Sequence, residues 1–346
     1  MELQNHTPWP HLMFERADPD DRRFKVLVFQ GTFRFADEGG PLLPLERQPP
    51  VVPVDEYLGD PSATGLGRAG AVATFKLRAD VSVLAFARSP EPKTEWTTSL
   101  RVGALHHALR VRGLHHWYRH EGSWRRSDPE ACTEVPLVYE RAFGGRFETA
   151  EDGWVSEPRN PLGTGYLPPK VDHPESVYAP QITAVDEPEH EPGKRYAPRG
   201  WAPIPGYFAP RSEYLGTVDA AWKRDRWPRL PADFSNDFYQ SAHPDLVYPG
   251  HLRGDEAIEI EGVTADGRAR TGRLPGFLVF GLLRLHSGRM MVQTALLDTL
   301  HLDLRSANPN LHRAILTWRL VMPNAAGIRK VEGRMVPLED AAAASS

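Results

Sequence analysis

The chain has 346 residues, 40% of them hydrophobic and 25% charged, and a formal net charge of −4, ordinary values for a soluble globular protein of one large or two medium domains. The mild negative charge, with no block of five or more like charges, argues against a general electrostatic grip on nucleic acid or anionic lipid. A single cysteine, Cys132, leaves no internal disulfide framework and no multi-cysteine metal site, while 33 prolines and 29 glycines speak against a mainly helical fold.

The amino terminus, MELQNHTPWPHLMFERADPDDRR, has no basic region followed by an apolar run, so no secretory signal is expected. FKVLVFQGTFRF (24–35) then alternates, with Phe29, Phe33 and Phe35 on one face and Gln30, Thr32 and Arg34 on the other. That pattern predicts a strand with one buried side. ATFKLRADVSVLAFA (73–87) predicts a longer one, with Phe75, Leu77, Val81 and Val83 inward and Lys76, Arg78, Asp80 and Ser82 outward. TTSLRVG and HALRVRG, separated by ALH, read as two short antiparallel strands or one bent strand.

From Pro158 to Pro210 the chain carries twelve prolines without periodicity, in segments such as NPLGTGYLPPK and YAPRGWAPIPGYFAPR. It also carries Tyr166, Tyr178, Tyr196, Trp201, Tyr207 and Phe208. Disordered segments are poor in aromatics, so an ordered coat over the sheets is expected. GTVDAAWKRDRWP predicts a helix capped by Thr217 or Asp219 and stopped by Pro228, and DFSNDFYQSAHP a further helical turn. Strands follow at DEAIEIEGV, at MMVQTALLDTLHLDL with Val292, Thr294, Leu296, Leu300, Leu302 and Leu304 in phase, and at RAILTWRLVMP. The run LPGFLVFGLLRL is too short to span a bilayer and is stopped by Arg284, so a soluble, cytoplasmic protein is expected.

These readings predict a mainly β fold: twisted antiparallel sheets in one or two sandwich-like units, with a long Pro-rich irregular segment and few short helices. The expected divisions are a β-rich part over 1–150, the Pro/aromatic-rich segment over 151–215, a short helix with a second β-rich part over 216–338, and a disordered tail over 339–346.

RVGALHHALRVRGLHHWYRH (101–120) contains His106, His107, His115, His116 and His120, a density that invites a metal-site reading. In a strand, however, His106 and His107 diverge to opposite faces, as do His115 and His116, whereas metal ligands converge on one point. Sheet-edge or hairpin histidines without metal are the expectation. DTLHLD offers Asp298, His301 and Asp303, with His301 and Asp303 sharing a solvated strand face and Asp298 opposite. GLGRAG (65–70) has loop-like glycines without the spacing of a phosphate cradle, and no nucleophile elbow or P-loop occurs. Cys132 reads as a lone small buried thiol. No catalytic, cofactor-binding or metal-binding residues are therefore assigned, and no cofactor is expected.

The block GTVDAAWKRDRWPRLPADFSNDFYQSAHPD resembles the GT-x-D-x-x-W…R-x-P-x-LP-x-DF pattern of domain-of-unknown-function family 2169. The resemblance extends over about residues 1–323 through SLRVG…LRVRG, PLVYERAFGG, NPLGTG, LRGDEAIEIEG, LDTL and LTWRL. The chain departs from the pattern at VRGLHHW, with Leu114 and His115 where the family has Asp–Arg. At KLRADV it keeps Lys76, Asp80 and Val81. The resemblance implies a cytoplasmic, non-enzymatic adaptor or chaperone of type VI secretion. Such a protein would bind a secreted effector encoded nearby and assist its loading onto the spike or PAAR-type tip. Trp222 and Arg226, four apart on the predicted helix, with Trp227 at its stop and Trp201 in the coat, are the candidate partner-binding residues, since tryptophan and arginine dominate interface energetics. The alternatives are a carbohydrate-active or metal-dependent hydrolase, or a carbohydrate-binding module using the tryptophans.

Overall fold

The computed structural model describes residues 1–149, 153–169, 172–324 and 327–343. The strands of its three main sheets are, in chain order, β1 (Glu2–Asn5), β2 (His11–Ala17), β3 (Arg23–Arg34), β4 (Asp80–Lys93), β5 (Glu95–Val102), β6 (Leu105–Arg112), β7 (Cys132–Pro136), β8 (Ile182–Ala184), β9 (Ala257–Glu261), β10 (Arg270–Arg273), β11 (Phe277–Leu285), β12 (Met290–Thr294), β13 (Leu296–Leu304), β14 (Arg313–Pro323) and β15 (Ile328–Pro337). Among the described residues there are also three short α-helices, α1 (Ala209–Ser212), α2 (Ala220–Asp225) and α3 (Leu338–Ala343), together with small two- and three-stranded sheets and 3-10 turns. The fold is mainly β, as the alternation and the proline content predict.

A seven-stranded sheet in the order β7-β4-β13-β14-β3-β2, with Leu43–Pro44 paired onto β3, is the central layer. Its inner face carries Leu27, Phe29, Val81, Val83, Leu300, Leu302, Leu316, Trp318 and Leu320, all at most 1% exposed. Two smaller sheets share that core. The five-stranded sheet β8-β6-β5-β9-β10 contributes Leu100, Val102, Leu109, Val111, Ile258 and Ile260, and the four-stranded sheet β1-β15-β11-β12 contributes Val279, Leu283 and Val331. Two glycines let the latter sheet approach closely: a Cβ at Gly281 would lie 2.5 Å from Leu320 and one at Gly333 2.5 Å from Phe29. The predicted short strands 97–103 and 107–113 form the β5–β6 hairpin, in register Val102↔Leu105.

Most pairings in these sheets are antiparallel, as expected, while β13 runs parallel to β4 and β1 parallel to β15, because strands from distant parts of the chain are brought together in one sheet. Two expectations are corrected. Residues 73–79 are not strand, since β4 begins at Asp80; Leu77 is 45% exposed and Lys76 is buried, the reverse of the predicted phase. The tail is helical through Ala343, and residues 344–346 lie outside the described residues.

The Pro-rich segment packs rather than dangles. Ala202, Ile204 and Phe208 form a small cluster with Tyr139 and Leu84 against the outer face of the central sheet. Glu157, fully buried, holds Arg159 at 2.7 Å and Arg195 at 2.8 Å and so pins two points of the segment together.

Candidate functional site

His106 and His107 lie in β6 and His116–His120 in a further strand, while His115 falls between the two and is buried rather than half-solvated. His106 is exposed, while His107 turns inward from β6 toward the turn at 243–245. There the structure assembles His107, His243 and Asp245, with ligand-type atoms all within 4.8 Å of one another. Sequence spacing alone could not place these together, because 136 residues separate the two histidines.

Hydrogen bonding decides what this cluster can hold. Trp201 Nε1, which can only donate, lies 3.0 Å from His107 Nδ1. The neutral ring therefore carries its proton on Nε2, which faces Asp245 Oδ2 at 3.6 Å with no lone pair to offer a cation. His243 donates from Nε2 to the Pro198 carbonyl at 3.0 Å, and its Nδ1 accepts the Asp245 amide at 3.2 Å. Arg199 already donates to Asp245 Oδ2 at 2.7 Å. In His107 the nitrogen that faces Asp245 carries the proton, the reverse of a metal-bound ring, and in His243 the outward-donating Nε2 would suit a ligand but the Nδ1 lone pair is already taken by the Asp245 amide. The cluster is a hydrogen-bonded knot that ties Pro198, Arg199 and Trp201 of the coat to β6.

A second polar cluster occupies the outer face of the central sheet. Asp298 and Arg319 pair at 2.5 Å, and Lys76 and Asp80 pair at 2.5 Å, all four residues being nearly inaccessible to solvent. Ser82 Oγ lies 2.9 Å from His301 Nδ1. The predicted solvated face is thus corrected: His301 is 5% exposed and Asp298 1%. A register shift between Leu297 and Thr299 brings Asp298 onto the side of Arg319 instead of opposite His301. The cavity beside Ser82 and His301 measures about 20 Å³, room for one water and too small for an acyl or glycosyl substrate. Cys132 is half-buried rather than buried, and burial pushes its thiol pKa upward, away from the nucleophilic thiolate.

The third feature surrounds the predicted interface residues. Asp219 caps α2 through the Trp222 amide at 2.7 Å, while Thr217 instead binds Asp233. The helix stops at Asp225, so Arg226 does not share an exposed helical face with Trp222. Its guanidinium turns back to the carbonyls of Leu230, at 3.2 Å, and Pro19, at 2.7 Å. Trp222 donates to Arg229 O at 3.0 Å and meets Trp227 edge-on, with ring centroids 5.5 Å apart. Trp227 is 67% exposed, whereas Trp201 is fully buried and presents nothing to a partner.

Beside this knuckle lies a groove of about 640 Å³, lined by Glu15, Arg16, Arg23, Arg229, Leu230 and Tyr239 among others. One wall is β2, the last strand of the central sheet, with no strand on its outer side among the described residues. The bond from Gln30 N to Pro10 O fixes the phase of the ladder. It follows that the amides of His11, Met13, Glu15 and Ala17 point away from β3 to the open side. β2 went unread in the sequence, although Leu12 and Phe14 alternating with Met13 and Glu15 was the available signal.

A family profile described as "Uncharacterized protein conserved in bacteria (DUF2169)" matches residues 20–319. The chain belongs to this family. No curated protein and no solved structure matches it. The DUF2169 match covers the polar layer, the His107 knot and the α2 knuckle, and leaves out β1, β2 and β15. Within the span that matches DUF2169, Lys76 and Asp80 are one of the two buried ion pairs of the polar layer, with Asp298 and Arg319 the other. His115, standing at the Asp–Arg departure, is 3% exposed with its Nδ1 3.0 Å from Gly113 O. No helix among the described residues is long and apolar enough to cross a membrane.

The buried histidines of this DUF2169 protein make its stability depend on pH. Burial pushes His243 and His301 down from the ordinary 6.5 to about 4. Their folded-state values lie below the unfolded value, so their contribution is complete above pH 6.5 and is lost as pH falls toward 4. Asp245, held by the His107 ring and then by His243 and Arg199, sits at about 2. Glu187 sits there too, its burial outweighed by His190 and Arg199. Those two carboxylates contribute above the ordinary carboxylate range and lose their contribution only as pH falls toward 2. Urea midpoints should therefore decline in two stages on acidification, and His301→Gln should shrink the upper stage while leaving the lower one in place.

Proposed function

We propose that this protein is a non-enzymatic adaptor that binds a type VI secretion effector encoded beside it and assists its loading onto the secretion spike. The observation that carries this reading is the open edge of β2 beside the groove and the exposed Trp227. An unpaired edge strand is a template for an extended segment of a partner: main-chain hydrogen bonds supply affinity and flanking pockets supply selectivity. Trp227, two-thirds exposed beside that edge, is the type of side chain that anchors interfaces.

Arg226 has a different role from the one its spacing suggests. By holding Leu230 and Pro19 it fixes the two walls of the groove, so Arg226→Ala would disturb the site indirectly and is a poor probe of contact. Co-expression with the product of the neighbouring effector gene should give a complex that co-elutes on size exclusion. Trp227→Ala, and Glu15→Pro, which removes an outward amide while sparing the β2–β3 ladder, should each weaken it at least about tenfold, the loss of a hot-spot contact. Trp227→Ala should change folding stability by no more than about 0.5 kcal/mol, as expected at an exposed site. A second open edge, β12, exposes Met290 and Val292, and Val292→Lys in the same assay distinguishes the two edges. No co-elution would overturn the adaptor reading; a complex indifferent to Trp227→Ala and Glu15→Pro would overturn the groove.

A further inference from the structure

The small cavity on the outer face of the central sheet is lined by Arg68, Lys76 and Arg319, with Gln30, Thr299 and Thr317 among its polar neighbours. The carboxylates that balance two of these cations, Asp80 and Asp298, approach from outside and do not line it. Arg68 has no carboxylate within ion-pair distance among the described residues. Its guanidinium donates to the neutral amide oxygen of Gln30 at 2.5 Å.

Several of the unspent valences are donors. Lys76 gives one ammonium proton to Asp80 and one to Thr299 Oγ1, leaving a third. Arg319 uses Nε on Asp298 and Nη1 on the Ala71 and Ala73 carbonyls, leaving Nη2. Thr317 Oγ1 accepts from Gln30 Nε2, so its own proton is uncommitted. The Gln30 amide oxygen already accepts from Arg68 and from Val52 N. A water could place its protons on the Ser82, Ser241 and Thr299 oxygens that also line the cavity, whereas a monatomic anion needs donors alone. Three cationic side chains around a space of about 20 Å³ match that need in charge and in size.

We infer that this cavity is a binding site for one small monovalent anion, of the size of chloride. The ion enters from the open surface pocket of about 530 Å³ that shares Arg68, His301 and Ile315 with the cavity wall. Arg68 is half-buried on the 65–70 loop and stands between the two spaces, so the glycine-rich GLGRAG segment serves as one wall of the anion site.

The full chain tests this directly with sodium chloride against sodium gluconate at one ionic strength. Chloride should raise Tm saturably, by about 2 °C or more, because a ligand that binds only the folded state stabilises it. Arg68→Met should abolish the chloride-dependent rise while remaining folded in gluconate. A crystal grown in sodium bromide should show one anomalous peak among Arg68, Lys76 and Arg319. Equal Tm in the two salts, a rise that survives Arg68→Met, or a cavity without the bromide peak would each overturn the assignment.

Discussion

Asp80→Ala is expected to lower folding stability by about 3–5 kcal/mol, the cost of leaving a buried charge without its partner. Asp80 has no solvent exposure, and its carboxylate accepts four hydrogen bonds. Lys76 Nζ at 2.5 Å, Ser241 N at 2.8 Å and Ser241 Oγ at 3.0 Å reach Oδ2, and Gln240 Nε2 at 2.7 Å reaches Oδ1. Removing it strands the Lys76 ammonium, itself 5% exposed, with Thr299 as its remaining partner. The same change frees the 240–241 segment from the start of β4. The pair Lys76→Met with Asp80→Leu should recover only the part of the loss that comes from the stranded ammonium, because the Ser241 and Gln240 donors stay without their acceptor. Urea midpoints for the single and double variants, at an unchanged m-value, measure the two effects. A single variant as stable as the parent would mean that Lys76 finds water or another anion when Asp80 is gone.

Trp201→Ala is expected to cost about 3–5 kcal/mol, the range for emptying a large aromatic site in a core. Trp201 is fully buried within the main hydrophobic cluster, and its indole N–H donates to His107 Nδ1 at 3.0 Å. Trp201→Phe separates the two contributions: most of the ring volume stays, the donor goes, and the loss should be about 1–3 kcal/mol for an unpaired buried acceptor. Comparison with Trp227→Ala, where the ring is 67% exposed, isolates burial from residue type. Chemical denaturation of the three variants gives the ordering directly. If Trp201→Ala were no worse than Trp227→Ala, the coat would not be part of the core.

The sequence by itself determined the local elements whose signals are contained within a few residues. Ile258 and Ile260 against Ala257, Glu259 and Glu261 specify β9, and the structure buries the isoleucines and exposes the rest. Asp219 before an apolar turn and Pro228 after it specify α2, because a cap and a stop act on their own backbone neighbours. The β5–β6 hairpin follows from two alternating runs joined by a short turn.

Tertiary structure alone decided which alternating faces are covered. Val292 and Leu300 fall in one phase of MMVQTALLDTLHLDL, yet Val292 is 67% exposed and Leu300 fully buried. The chain leaves one sheet after Thr294 and enters another at Leu296, and the register shift near Asp298 resets the phase. β14 is buried on both sides, so Thr317 and Arg319 are as inaccessible as Leu316 and Leu320, and no alternation could mark them as interior. Lys76 reads as an outward strand residue until Asp80, Gln240 and Thr299 are brought around it. Trp201 and Trp227 carry the same side chain and differ only in what distant segments lay over them. His107 meets His243 and Asp245 across 136 residues. Periodicity reports the direction in which a side chain points; burial and chemistry depend on what arrives from elsewhere in the chain to meet it.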